Sequence, residues 1–129
     1  MVRRISTGSP LEASLGYSRA VIDGDMVYVS GTTGYDYATM TMPEDVAEQA
    51  RNAFSTIEKA LNDAGAVMAD VLRARYYLVD IADAEAVGAV LGETFGEIRP
   101  AATLVVAGLA APEMKIEIEV TARKGAHAS

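Results

Sequence analysis

KIEIEVTAR, from Lys115 to Arg123, alternates polar and apolar side chains without interruption. Successive side chains of an extended strand point to opposite faces. Ile116, Ile118, Val120 and Ala122 therefore share one face, and Lys115, Glu117, Glu119, Thr121 and Arg123 share the other. A strand patterned this way belongs to a sheet that is covered on one side only. The covering elements lie upstream. Between Thr41 and Gly65, residues Val46, Ala50, Ala53, Phe54, Ile57, Leu61 and Ala64 recur at helical spacing and make one apolar stripe. Thr41 and Glu44 have the spacing of a capping box, Pro43 suits a first turn, and Gly65 suits a helix end. A second helix is predicted from about Asp83 to Phe95, with Ala84, Val87, Leu91 and Phe95 on one side and Arg99-Pro100 as its stop.

The remaining segments read as strands and connections. VLRARYYLV, Val71 to Val79, sets Leu72, Ala74, Tyr76 and Leu78 against Arg73, Arg75 and Tyr77. Ser18 to Ile22 and Met26 to Ser30 flank Asp23-Gly24-Asp25, a hairpin signal because glycine accepts the positive φ of a tight turn. The second of these strands closes at Gly31. Met1 to Ser6 and Ala102 to Ala107 read as strands, Leu11 to Gly16 as a turn-rich connection, and Thr32 to Met42 as loop. The predicted order is β-β-β-α-β-α-β-β, an α+β sandwich of two layers in a single domain over residues 1–129. Its open sheet face mixes apolar residues with charges. Such a face is suited to cover by another subunit, so a homo-oligomer is expected.

Composition narrows the chemistry. The 129 residues carry a formal charge of −7, no cysteine and one histidine. Thiolate catalysis and cysteine zinc sites are excluded, and no histidine-based metal set can form. Nucleic acid is an unfavourable partner for so acidic a chain. The N-terminus MVRRISTGSP has no apolar core of a signal peptide, and no apolar run approaches the ~20 residues of a membrane span. The cytoplasm is the expected compartment, with no membrane partner. His127, in the tail, reads as solvated and idle. No Ser-His-Asp set and no phosphate loop is available. Acid–base work falls to Glu, Asp, Tyr or Arg. On spacing alone, Glu117 and Glu119 beside Lys115 and Arg123 read as a charge ladder. Tyr17 reads as packing, with Arg19 on the same face of an extended stretch.

Four pieces taken together carry a resemblance. GYSRAVIDGDMVYVSGTT, AEQARNAFSTIEKALNDAGAVMADVLRARYYLVDIAD, RPAATLVVAGL and KIEIEVTAR resemble the RidA/YjgF family, reactive-intermediate deaminases also labelled L-PSP endoribonuclease-like. The resemblance spans Gly16 to Arg123. It implies a chorismate-mutase-like fold and a homotrimer whose sheets face inward, with three ligand clefts between adjacent subunits. It implies hydrolysis of enamine and imine intermediates of the 2-aminoacrylate type to keto acid and ammonia, without metal or organic cofactor. The partner it implies is a small-molecule metabolite.

Residue by residue, the resemblance assigns the cleft tyrosine to Tyr17, the strand-end pair to Ser30 and Gly31, and the water-positioning acid to Glu117. The position of the family's carboxylate-binding arginine, two residues after the proline, is Ala102 in this chain. Leu104 follows on the same strand, and Gly88 stands where the family often has asparagine. Arg19 and Arg75 are the candidates to meet ligand charge from the sheet. A non-catalytic metabolite-binding protein, or a hydrolase with a different substrate, is the alternative that Ala102 and Gly88 leave open. Ribonuclease activity is disfavoured by the charge of −7.

Overall fold

In the computed structural model, which describes residues 1–129, the alternating stretch becomes a strand inside one six-stranded sheet. The elements run β1 (Val2–Ile5), α1 (Pro10–Leu15), β2 (Ala20–Asp23), β3 (Met26–Thr32), α2 (Val46–Asp63), β4 (Val71–Leu78), α3 (Ala84–Phe95), β5 (Ala101–Val106) and β6 (Ile116–Arg123). The strand order is β1-β2-β3-β6-β4-β5. Only β4 and β5 run parallel.

The two-layer α+β architecture follows from the patterning. Ile116, Ile118, Val120 and Ala122 are all buried beneath the helices. Helix α2 lies over β3 and β6, and α3 lies against α2. Phe54 and Phe95 join the two helices edge to face, with ring centroids 5.3 Å apart. Gln49, fully buried in α2, spends every polar atom: Nε2 donates to the carbonyls of Pro43 and Glu113, and Oε1 accepts from the Lys115 N–H. It fixes the helix over the entrance to β6. Gly24, at φ 59°, makes the turn between β2 and β3.

Four local expectations are corrected. The connection at Leu11 to Gly16 is a short helix, α1: Ser9 accepts from the Leu11 N–H, Pro10 opens the first turn, and Gly16 ends it at φ 74°. Helix α2 begins at Val46, not Thr41, because the Asp45 carboxylate accepts from the Glu48 N–H and takes the cap. Leu72 does not face the core. The register slips between Val71 and Arg73 opposite Ala122 and Thr121, so the leucine bulges out and is 43 % exposed.

The fourth correction concerns the tail. His127 is not idle. Its backbone N–H and its Nδ1 both meet Oδ1 of Asp70, at 2.9 and 2.6 Å, and Asp70 also accepts from the Val67 N–H. Asp70 is buried. Burial alone would raise its pKa, but the bonds from His127 and Val67 hold it down to about 2 from an ordinary 3.8. A depressed folded-state pKa stabilises the fold above the unfolded value, and that stabilisation is lost as pH falls. The clasp should therefore contribute on the order of 2 kcal/mol near neutrality and lose it between roughly pH 4 and pH 2. Urea unfolding across that range should show a steeper acid decline for the native chain than for Asp70→Asn.

The two edges of the sheet differ. Every residue of β5 is exposed, including Leu104, Val105 and Val106 at 39, 42 and 50 %. An apolar strand bare on both faces is unusual at the edge of a monomer.

Candidate functional site

The site grows from a fault in the sheet. Strands β3 and β6 pair Val29 with Val120 and Thr32 with Ile118. Two residues of β3, Ser30 and Gly31, therefore oppose one of β6, a bulge that turns the backbone away from regular pairing. Ser30 is anchored there, its Oγ donating to the Ser18 carbonyl at 2.6 Å. A Cβ at Gly31 would overlap the carboxylate of Glu117, which would have to swing out of its place over the strand. The alternation of β6 sends Glu117 to the uncovered face, and the missing side chain lets its carboxylate lie over the β3 backbone.

Around this point is a cleft of about 290 Å³. Glu117, Ser30, Gly31, Tyr17 and Thr33 give it polar groups. Leu11 and Leu15 of α1, Tyr35 and Tyr37 of the following loop, and Ala110 and Met114 before β6 give it apolar walls. Glu117 is only half-buried. Burial raises its pKa above the ordinary carboxylate range, the Glu119 charge raises it further, and Arg19 opposes both. Burial also raises the pKa of the Tyr17 phenol.

Arg19 is the strut behind the cleft and is 1 % exposed. Its Nη1 donates to the Gly31 carbonyl at 2.9 Å and to Thr32 Oγ1 at 2.8 Å, and its Nη2 donates to the Tyr17 hydroxyl at 3.2 Å. The guanidinium carbon lies 5.4 and 4.7 Å from the ring centroids of Tyr17 and Tyr37, within cation–π range. The expected adjacency of Tyr17 and Arg19 is thus a direct contact. Beyond Arg19 is a second cavity of about 380 Å³, between the end of β1, the Tyr35–Ala38 loop and α2.

The structure brings Tyr17, Ser30, Gly31 and Glu117 together, with Arg19 beneath them rather than among them. Arg75 lies apart on the open sheet face, with Nη1 3.9 Å from the Glu119 carboxylate. Tyr77 donates to that same carboxylate. Gly88 is on the exposed side of α3. Ala102 and Leu104 lie on exposed β5, separated from β6 by β4. In one chain these three residues do not touch the cleft wall. No three Asp, Glu, His or Cys side chains converge as a metal set.

Sequence reasoning did not find Thr33, Tyr35, Tyr37, Met114 or the leucines of α1. The signal available was GYDY, two tyrosines in a glycine-led loop directly after the strand end. Thr33 fixes that loop, its N–H donating to the Tyr37 hydroxyl at 3.1 Å.

Comparison with known proteins gives the family and supports the fold. Residues 7–124 match the family described as endoribonuclease L-PSP. An uncharacterized protein of Streptomyces coelicolor is 39 % identical over 97 % of this chain and 94 % of its own length. The 2-iminobutanoate/2-iminopropanoate deaminase of Capra hircus is 33 % identical over 97 % of this chain and 93 % of its own. The crystal structure of Rv2704 from Mycobacterium tuberculosis, of the YjgF/YER057c/UK114 family, superposes with a TM-score of 0.88 at 43 % identity, covering 95 % of this chain and 99 % of that one. The chain belongs to the endoribonuclease L-PSP family, the RidA/YjgF group.

Proposed function

We propose that this protein hydrolyses small enamines and imines, releasing ammonia and a carbonyl compound, in clefts completed by neighbouring subunits of a homotrimer. The observation that carries the reading is Glu117, half-buried and laid over Gly31 in a cleft that Tyr17, Ser30 and Thr33 also line. Its raised pKa suits a carboxylate that takes a proton from water and returns it within one turnover. Tyr17 and the strand-end residues Ser30 and Gly31 orient the substrate. The named activity of the goat relative, 33 % identical, supports the same reaction class. No step requires a cofactor, because the C=N carbon is already electrophilic.

The trimer is supported by β5. Its bare apolar residues are the surface a second copy would bury, and they would bring Ala102 and Leu104 to the edge of another chain's cleft. Two measurements test the reading. Light scattering should find three times the 13.6 kDa of one chain. Ammonia release from a panel of freshly generated imines should exceed the buffer rate. A lone 13.6 kDa particle, or no acceleration on any member of the panel, would overturn it.

A second reading is favoured by one feature. Ala102 brings no charge to the cleft, so the site could hold a metabolite without turning it over. A thermal shift with a metabolite, in the absence of any product, is the result that separates this reading from the first.

A further inference from the structure

We infer that the cleft selects small apolar imines that carry no carboxylate and receives them as the protonated iminium. The inference rests on the imine-hydrolysis reading above and narrows its substrate. Three observations carry it. First, no lysine, arginine or histidine lines the cleft, while Glu117 does. Second, Arg19, the cation buried behind the cleft, is already committed. The donors of Arg19 Nη1 and Nη2 point to Gly31, Thr32 and Tyr17, and its Nε is sealed from solvent without a partner. Third, the strand that a neighbouring copy would present, Ala101–Val106, contains no ionisable residue.

A carboxylate brought into this cleft would meet Glu117, with Glu119 behind it, while Arg75, the cation of the open face, lies 3.9 Å from the Glu119 carboxylate. Like charges a few ångströms apart at a protein surface repel appreciably. An iminium reverses the sign of that interaction. The apolar wall of Leu11, Leu15, Ala110 and Met114 suits a short branched hydrocarbon.

The chemistry balances without a co-reactant. Water attacks the iminium carbon, a C–O bond forms, and the C=N π pair moves to nitrogen. Glu117 takes the proton that water loses and returns it to nitrogen. The C–N bond then breaks, and the hydroxyl proton passes to the departing ammonia. The sum is iminium plus water giving aldehyde or ketone plus ammonium.

The test compares two imines that differ by the carboxylate alone. A flavin-dependent amino-acid oxidase acting on leucine generates the 2-imino acid, and a flavin-dependent amine oxidase acting on isopentylamine generates the imine with the same side chain. Semicarbazide trapping reports how much of each survives. We expect the native protein to accelerate hydrolysis of the carboxylate-free imine at least about tenfold more than that of the imino acid, a difference of ~1.4 kcal/mol. Equal acceleration, or a preference for the imino acid, overturns the inference and leaves the reaction class standing. Acceleration of neither imine, if it extends to the whole panel above, overturns both. Glu117→Gln should abolish whatever acceleration is seen, and acceleration that persists in this variant would place the chemistry outside the cleft and overturn the inference.

Discussion

Glu117→Gln should lower kcat by about 100-fold or more while changing KM little, because general-base assistance by a positioned group contributes on the order of 10² to 10⁴. The substitution keeps the side chain's size and its place over Gly31, and it removes the only carboxylate of the cleft wall. It also predicts two effects of pH. The native enzyme needs Glu117 ionised, so kcat/KM should rise with pH through a carboxyl pKa raised by burial and by Glu119, and the variant should lose that limb. Stability moves the other way. A folded-state pKa above the unfolded one means the native state binds the extra proton, so stability falls as pH rises through the interval between them. The glutamine variant escapes that loss. Its melting temperature near neutrality should equal or exceed that of the native chain, a site cost in stability retained for function. A variant that loses both activity and stability would mark Glu117 as a structural group. A variant that keeps its activity would remove it from the chemistry.

How much of this could be read from the residues follows from the range of the forces involved. Periodic burial is legible, because it is imposed on every second or every third and fourth residue. The inward set of β6 and the stripe of α2 are where the pattern puts them. Single-residue competitions are less legible. Thr41 and Asp45 both offer a cap four residues apart, and only the position of Pro43 and the packing of Gln49 decide for Asp45. Leu72 obeys alternation in the sequence and breaks it in the sheet, because a bulge shifts the register without leaving a glycine or proline to announce it. Contacts between distant residues are the least legible. Asp70 and His127 are unremarkable until the fold brings them within 2.6 Å. The acid of the cleft needed the resemblance, since alternation alone makes Glu117 and Glu119 equivalent. Gly31 is what separates them: it admits the carboxylate of Glu117, while Glu119 turns to Tyr77 and Arg75.

Arg19→Met should destabilise the fold by roughly 2 kcal/mol and move the acid limb of the activity profile to higher pH. Two opposing terms set the first figure. The Gly31 carbonyl and the part-buried Tyr17 hydroxyl lose a donor, and Thr32 Oγ1 keeps only its own bond to the Ser30 carbonyl, at about 1–3 kcal/mol for each group left buried and unpaired. Against this, the variant no longer buries a guanidinium whose Nε has no partner, and desolvating an ion costs several kcal/mol before its contacts are counted. The rings of Tyr17 and Tyr37 offset part of that cost, at ~0.5–2 kcal/mol. Methionine fills the space with a flexible apolar chain, so the lost hydrogen bonds outweigh the gain only modestly. The second effect is electrostatic. Arg19 lowers the Glu117 pKa by its charge, so removing it leaves burial and Glu119 to raise that pKa further. More base must then be added before Glu117 ionises. Arg19→Lys separates the two roles. The ammonium restores a positive charge near Glu117 but cannot reproduce the planar fork that holds Gly31, Thr32 and Tyr17 at once. The acid limb should return toward its native position while the melting temperature stays low. Should Arg19→Met leave the limb where it was, Arg19 serves the cleft only by holding its backbone in place.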